Sequence, residues 1–168
     1  SRAAIEKFVK YACTTHMSDP ANILDSGIIS INKEIYDMAI SNKDYSGMGT
    51  TFVACSIVDN HVYIANVGDS RLYLIGRDIR QITRDHSLVE DMVRMGMIDK
   101  EEAKTHYKKN VITKAIGVAE DRTATPDIFE IEISDGEKLL LCSDGLTNMV
   151  EDYEIKKIVT KNERIEDA

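Results

Sequence analysis

The sequence has no apolar run longer than a few residues, no cysteines at CxxC spacing, no histidines at metal-ligand spacing, no internal repeat and no excess of basic residues. Each absence closes off a class of protein. The short apolar runs argue against a membrane span, and no signal-peptide pattern opens the chain. Cys13, Cys55 and Cys142 are an odd number, two of them inside strand-like apolar runs, so they read as small buried hydrophobes in a reducing compartment. Lys and Arg number 21 against 29 Asp and Glu, a net charge of -8 spread along the chain. That balance repels phosphate backbones and argues against a nucleic-acid partner. The expectation is a soluble cytoplasmic protein with neither nucleic acid nor membrane as partner.

What is present is the patterning of one α+β domain. A chain of 168 residues can bury a core of its own. Residues 2 to 13 place Ala4, Ile5, Phe8, Val9 and Ala12 at helical spacing, with no N-cap beyond Ser1. A second helix is expected from Asp19-Pro20 to about Asn42, its apolar face Ile23, Leu24, Ile28, Ile31, Ile35 and Met38. From Thr50 the period becomes that of strands. "TFVACSIV" and "HVYIANV" flank Asp59-Asn60 as a hairpin, and "RLYLIG" and "DIRQIT" extend it as a meander. Residues 86 to 106 read as a helical insertion. "DIFEIEIS" alternates as a half-exposed strand, "KLLLCSD" reads as a central strand covered on both faces, and "EDYEIKKIVTK" as a closing helix with Tyr153, Ile155, Ile158 and Val159 inward.

Two carboxylates interrupt this pattern. Asp69 in Gly68-Asp69-Ser70 and Asp144 in Ser143-Asp144-Gly145 each stand where an apolar strand leaves the core. Asp, Ser and Gly are turn residues, and ordinary turns are one reading of both. The other is chemical: an ionised carboxylate at a protected strand end is costly without a partner, and a hard divalent cation is such a partner. Mg²⁺ and Mn²⁺ take oxygen ligands and keep several waters, so a few Asp side chains suffice. Rivals are lacking. His16, His61, His86 and His106 form no ligand set, and His61 and His86 read as surface residues. No Ser/His/Asp or Cys/His set is recognisable, Cys142 reads as packing, and Arg71 and Arg84 could meet an anion, although most such arginines are solvated or ion-paired.

Five blocks then carry a specific likeness. "SGMGTTFVACSI", "YIANVGDSRLYLI", "ITRDHSLVEDMV", "KNVITKAIG" and "LLLCSDGLTNMV" resemble, in order, those of the PP2C family of metal-dependent protein serine/threonine phosphatases, in the bacterial branch that opposes eukaryotic-type Ser/Thr kinases. The resemblance implies an antiparallel β-sandwich flanked by helices, incomplete in this chain, with two or three Mn²⁺ or Mg²⁺ ions in a cleft at one end. It implies hydrolysis of phosphoserine and phosphothreonine in phosphorylated proteins by metal-activated water. Asp144 matches the SDG aspartate of the metal cluster, Asp69 the GDSR aspartate associated with a further, more weakly held ion, and residues 83 to about 112 the flap beside the cleft.

The likeness has gaps. The family's phosphate-gripping arginine, its Asp-Gly-Met-Gly-Gly motif and its C-terminal Gly-x-Asp-Asn segment have no counterpart, and "RIEDA" reads as a helix opening cut short. Residues 1–168 are therefore expected to be a single fragment of such a phosphatase, truncated at both ends. By itself it is expected to bind divalent cations poorly and hydrolyse little, and its unpaired sheet edges favour self-association. Two alternatives stay open: a non-catalytic phosphatase-like module that binds a partner or regulates a kinase, and an α+β domain whose turn aspartates bind nothing.

Overall fold

The structure is a computed structural model that describes residues 1–118 and 124–161. The helix expected at Asp19-Pro20 starts there: α2 (Pro20–Ser41) is capped by the Asp19 carboxylate, which accepts the Ala21 N–H at 3.3 Å, and Pro20 occupies the first turn. Leu24, Ile28, Ile31 and Ile35 are buried as one stripe, together with Gly27 and Asn32. Gly27 is where α1 (Arg2–Thr14) comes close, because a Cβ there would run into the Phe8 ring. Phe8 in turn lies 5.1 Å from Phe52, centroid to centroid. Of the stripe expected on α1 only Ala4 is fully buried, while Ile5 and Val9 are more than half exposed. Helical periodicity shows that a helix has an apolar side, but the width of its contact is set by the neighbour.

The strands form two three-stranded antiparallel sheets. β1 (Phe52–Val58) and β2 (His61–Val67) are the expected hairpin, turned at Asp59, which takes φ 55°. The expected meander stops there. β3 (Arg71–Ile75) leaves for the second sheet, where it pairs with β4 (Ile79–Gln81) on one side and β6 (Lys138–Cys142) on the other. The second partner of β2 is β5 (Asp127–Glu132), so the orders are β1-β2-β5 and β4-β3-β6.

Alternation along the strands sorts side chains into layers. Ala65 and Val67 of β2 pack on Leu24, Ile28, Ile31 and Ile35, while Val62 and Ile64 point between the sheets onto Leu72, Phe129, Ile131 and Leu139. Tyr73 and Ile75 of β3 face the opposite way, against Ile155 of α6 (Asp152–Lys161). The result is helix, sheet, sheet, helix. β2 and β3 are therefore the strands covered on both faces.

Two expectations, for β6 and for α6, are corrected by this layering. β6 has β3 as its one partner among the described residues and leaves Leu141 40% exposed, so it is an edge strand and not the central one. β5 is the half-exposed strand expected, with Phe129 and Ile131 inward and Ile128, Glu130 and Glu132 outward. On α6, Ile155 is buried and Val159 packs beside it, whereas Tyr153 and Ile158 are exposed. Two short helices, α3 (Leu88–Arg94) and α4 (Lys100–Thr105), form the insertion after β4, and α5 (Asp144–Thr147) follows β6. Among the described residues no helix is long and apolar enough to cross a membrane. "RIEDA" lies outside the described residues.

Asn32 ties the first layer to the loop beyond the insertion: its buried Oδ1 accepts the Gly117 N–H at 2.8 Å. Asn32→Leu would leave that amide unpaired and is expected to cost about 1–3 kcal/mol of stability, read as a lower urea midpoint at unchanged slope. A variant as stable as the parent would show that the bond contributes nothing.

Candidate metal centre

The pairing of β3 with β6 aligns Arg71 with Cys142, and the strands run antiparallel. Asp69 stands two residues before Arg71, and Asp144 two residues after Cys142. Both therefore leave the sheet at the same end. They line one cleft of about 570 Å³, together with Lys100, Lys104 and Lys109 from the insertion and Glu151 and Tyr153 from the start of the last helix.

Their chemistry is that of two carboxylates without a counter-charge. Burial is the main cause that pushes the Asp69 carboxyl above the ordinary carboxylate value, and the negative charge of Asp144 pushes it further. Arg71 lowers it only in part, because its guanidinium is committed elsewhere. The Arg71 Nε donates to Asp85 Oδ1 at 2.9 Å, its Nη2 donates to Asp85 Oδ2 at 2.7 Å, and its Nη1 donates to the Tyr73 hydroxyl at 2.9 Å. Tyr73 then donates to Asp152 Oδ1 at 3.1 Å, and burial pushes its phenol up to about 12. Arg71 is thus a half-buried structural cation, and Arg84 an exposed one whose carbonyl accepts from Asn66. Burial likewise raises the Cys142 thiol, which keeps it protonated and unsuited to nucleophilic attack.

Asp144 opens α5 and accepts from Asn148 at 3.3 Å. Among the described residues neither Asp69 nor Asp144 forms an ion pair, and no group of three or more His, Cys, Asp or Glu side chains is disposed to hold a metal. What this chain brings together is a pair. Two hard oxygen donors that repel one another at the wall of an open cleft suit Mn²⁺ or Mg²⁺, which is held by one or two carboxylates and completed by water.

The turn that carries Asp69 is built by residues that sequence patterning did not single out. Gly68 takes φ +107°, and a Cβ there would collide with Thr51. His86, expected at the surface, is 7% exposed: its Nδ1 accepts the Gly68 N–H at 3.0 Å, and its backbone N–H donates to the Gly68 carbonyl at 3.0 Å. Asn66 donates to the Gly68 carbonyl at 3.1 Å and to that of Arg84 at 2.9 Å, and the hydroxyls of Thr51 and Ser70 meet at 2.9 Å. The His86 Nε2 lies 3.2 Å from the Asp127 carboxylate. Burial and Lys114 hold this imidazole below its ordinary value against the pull of Asp127, so the ring is neutral near pH 7. Asp127 is held below its own ordinary value, since His86 and Lys114 outweigh its burial. One signal was available in the sequence: Asn66 inside a strand otherwise apolar requires partners once buried.

The chain is similar to known proteins along its length. The family model described as "Protein phosphatase 2C" matches residues 2–91. Serine/threonine phosphatase stp of Listeria innocua is 47% identical over 137 residues, which are 81% of this chain and 54% of that protein. The chain thus spans about half the length of that relative. The crystal structure of serine/threonine phosphatase Stp1 from Staphylococcus aureus superposes with a TM-score of 0.92 at 40% identity, over 99% of this chain and 66% of that one. The catalytic domain of serine threonine protein phosphatase PstP, solved in complex with two manganese ions, superposes with a TM-score of 0.81 at 30% identity, over 95% of this chain and 66% of that one.

The coupling of the two carboxylates has a measurable sign. In metal-free protein Asp69 should titrate above the ordinary carboxylate value, and Asp144→Asn should lower it, as followed by carboxyl carbon-13 shifts. A carboxyl raised by folding contributes its full stability below the unfolded value and loses it as pH rises through the folded one. Above that window, metal-free Asp144→Asn protein should therefore melt at higher temperature than the parent. An Asp69 titration that ignores the substitution would mean that the two groups do not interact.

Proposed function

Because the chain belongs to the protein phosphatase 2C family, we propose that the protein hydrolyses phosphoserine and phosphothreonine in phosphorylated proteins, with Asp69 and Asp144 as this chain's ligands for Mn²⁺ or Mg²⁺. The observation that carries the reading is the Arg71 and Cys142 register, which brings two carboxylates without a counter-charge to one cleft. A bound divalent ion there supplies a Lewis acid for the phosphoryl oxygens and a water of lowered pKa. The residues of this chain do the rest. Asp69 and Asp144 hold and orient, while the Arg71 and Asp85 pair keeps the guanidinium from competing with the cation. Lys100 and Lys109 bring positive charge from the insertion to the cleft lining, toward a phosphorylated substrate.

Residues 83 to about 112 act in this reading as a flap within the single domain. Its α4 reaches the far wall through Lys104, whose Nζ lies 3.3 Å from Glu151, and an exposed pair of that kind is weak enough to open. A cognate Ser/Thr kinase would supply the substrates. The reducing cytoplasm would be the setting, since Cys13, Cys55 and Cys142 are all unpaired. Self-association belongs to the same reading: β1, β4, β5 and β6 each have one partner strand among the described residues.

The test is substitution in the full-length protein. Asp144→Asn and Asp69→Asn should each weaken Mn²⁺ binding in titration calorimetry by at least about tenfold and reduce manganese-dependent release of phosphate from a phosphothreonine peptide. Unchanged Mn²⁺ affinity in both variants would remove the metal site. A full-length protein that binds Mn²⁺ but hydrolyses nothing would instead be a partner-binding module.

A further inference from the structure

We propose that His86 is the positioning residue for Asp69, acting through the Gly68 amide. The inference rests on the reading of Asp69 as a metal ligand and adds how its aim is fixed. Asp69 forms no hydrogen bond to another side chain among the described residues, so its direction comes from the backbone on either side. Both neighbours are pinned. Ser70 is held by the Thr51 hydroxyl at 2.9 Å, and Gly68 by residue 86 at two points, the backbone N–H and the imidazole Nδ1, each at 3.0 Å.

The imidazole contact is the one a substitution can remove. Gly68 is buried in a left-handed conformation that no neighbouring strand satisfies, and its N–H has the His86 Nδ1 as partner. Since Nδ1 accepts, the proton of the neutral ring sits on Nε2, which lies 3.2 Å from the Asp127 carboxylate as a close charge contact without hydrogen-bond alignment. Asp127 also receives Lys114 at 3.3 Å. The buried imidazole is therefore backed by the first sheet, at the start of β5, while it grips the turn that leads into the second. An apolar residue of similar size would fill the space and leave the Gly68 amide unpaired, so that the peptide entering Gly68 is freed and the turn carrying Asp69 is held only through the Gly68 carbonyl, by Asn66 and the backbone N–H of residue 86.

The experiment compares His86→Leu, His86→Asn, Asp69→Asn and the double variant His86→Leu/Asp69→Asn in the full-length protein, with Mn²⁺ affinity read by titration calorimetry and folding by circular dichroism. An Asn carbonyl can take the place of Nδ1 and accept from Gly68. His86→Leu should weaken Mn²⁺ binding by about 10–100-fold, the range typical of groups that orient a metal ligand, and His86→Asn should recover most of the loss. On the Asp69→Asn background, His86→Leu should add nothing further. The proposal is overturned if Asp69→Asn weakens binding while folded His86→Leu binds as the parent does. It is overturned as well if folded His86→Asn loses as much as His86→Leu, or if the two losses add in the double variant. An Asp69→Asn protein with parental affinity removes the underlying metal reading, and this inference with it.

Discussion

The register between the third and sixth strands is the constraint on which the site depends. With Arg71 opposite Cys142, the residues two steps beyond each strand end must emerge together. Register in a sheet is protected by its side chains, because a shift of one residue turns every one of them to the other face. Here the penalty is large. Leu72, which fills the space between the sheets, and Tyr73, which packs on the last helix, are both fully buried. Exchanging their faces would put the phenol into the sandwich interior and break its hydrogen bonds with Arg71 and Asp152. The core thus holds the two carboxylates in alignment without touching either.

A second demand follows from the first. The chain must leave the first sheet at Val67 and enter the second at Arg71 within three residues, and a crossing that short leaves backbone groups without strand partners. Side chains take over. Asn66, His86 and Thr51 satisfy the glycine and serine on either side of Asp69, and the Thr83 hydroxyl accepts the Leu72 N–H at 2.9 Å. Arg71, the first residue of the new strand, joins Asp85, Tyr73 and Asp152 into one network. The polar residues around the site are mostly occupied in making the crossing possible.

That division explains what the sequence could disclose. Local chemistry was legible: the Asp19 cap with Pro20, the Asp59 turn and the helical insertion are decided by residues adjacent in the chain. The five family blocks were legible because they preserve residues at fixed spacing, and they led to Asp69 and Asp144 together. What periodicity cannot carry is the identity of the partner. A run such as "KLLLC" is equally apolar at an edge and in the middle, and the strand "RLYLI" gives no sign that it changes sheets. His86 was misjudged for the same reason. Its neighbours in sequence are polar and suggest a surface, whereas its partners Gly68 and Asp127 are brought to it by strands of the other sheet. Ile5, Val9, Tyr153 and Ile158 fail in the opposite direction, each apolar and on the expected side of its helix but beyond the reach of what the helix packs against.

The acidity of the cleft becomes selective once its carboxylates are taken one by one. Asp85 is bound by Arg71, Asp152 accepts from Tyr73, and Glu151 faces Lys104. Glu90 sits in the first turn of its helix, where the backbone dipole favours negative charge. Asp144 opens α5 and accepts from Asn148, but neither it nor Asp69 has an ion-pair partner among the described residues, and Asp69 carries the cost in a carboxyl pushed above its ordinary value. The fold therefore spends stability to keep two like charges close, which selection tolerates where the strained groups serve a function. On the proposed reading, a divalent cation between them would turn that repulsion into attraction and stabilise the sheet end that the two carboxylates otherwise oppose. On this argument the charge left unbalanced in an otherwise compensated cleft marks the place where a ligand belongs.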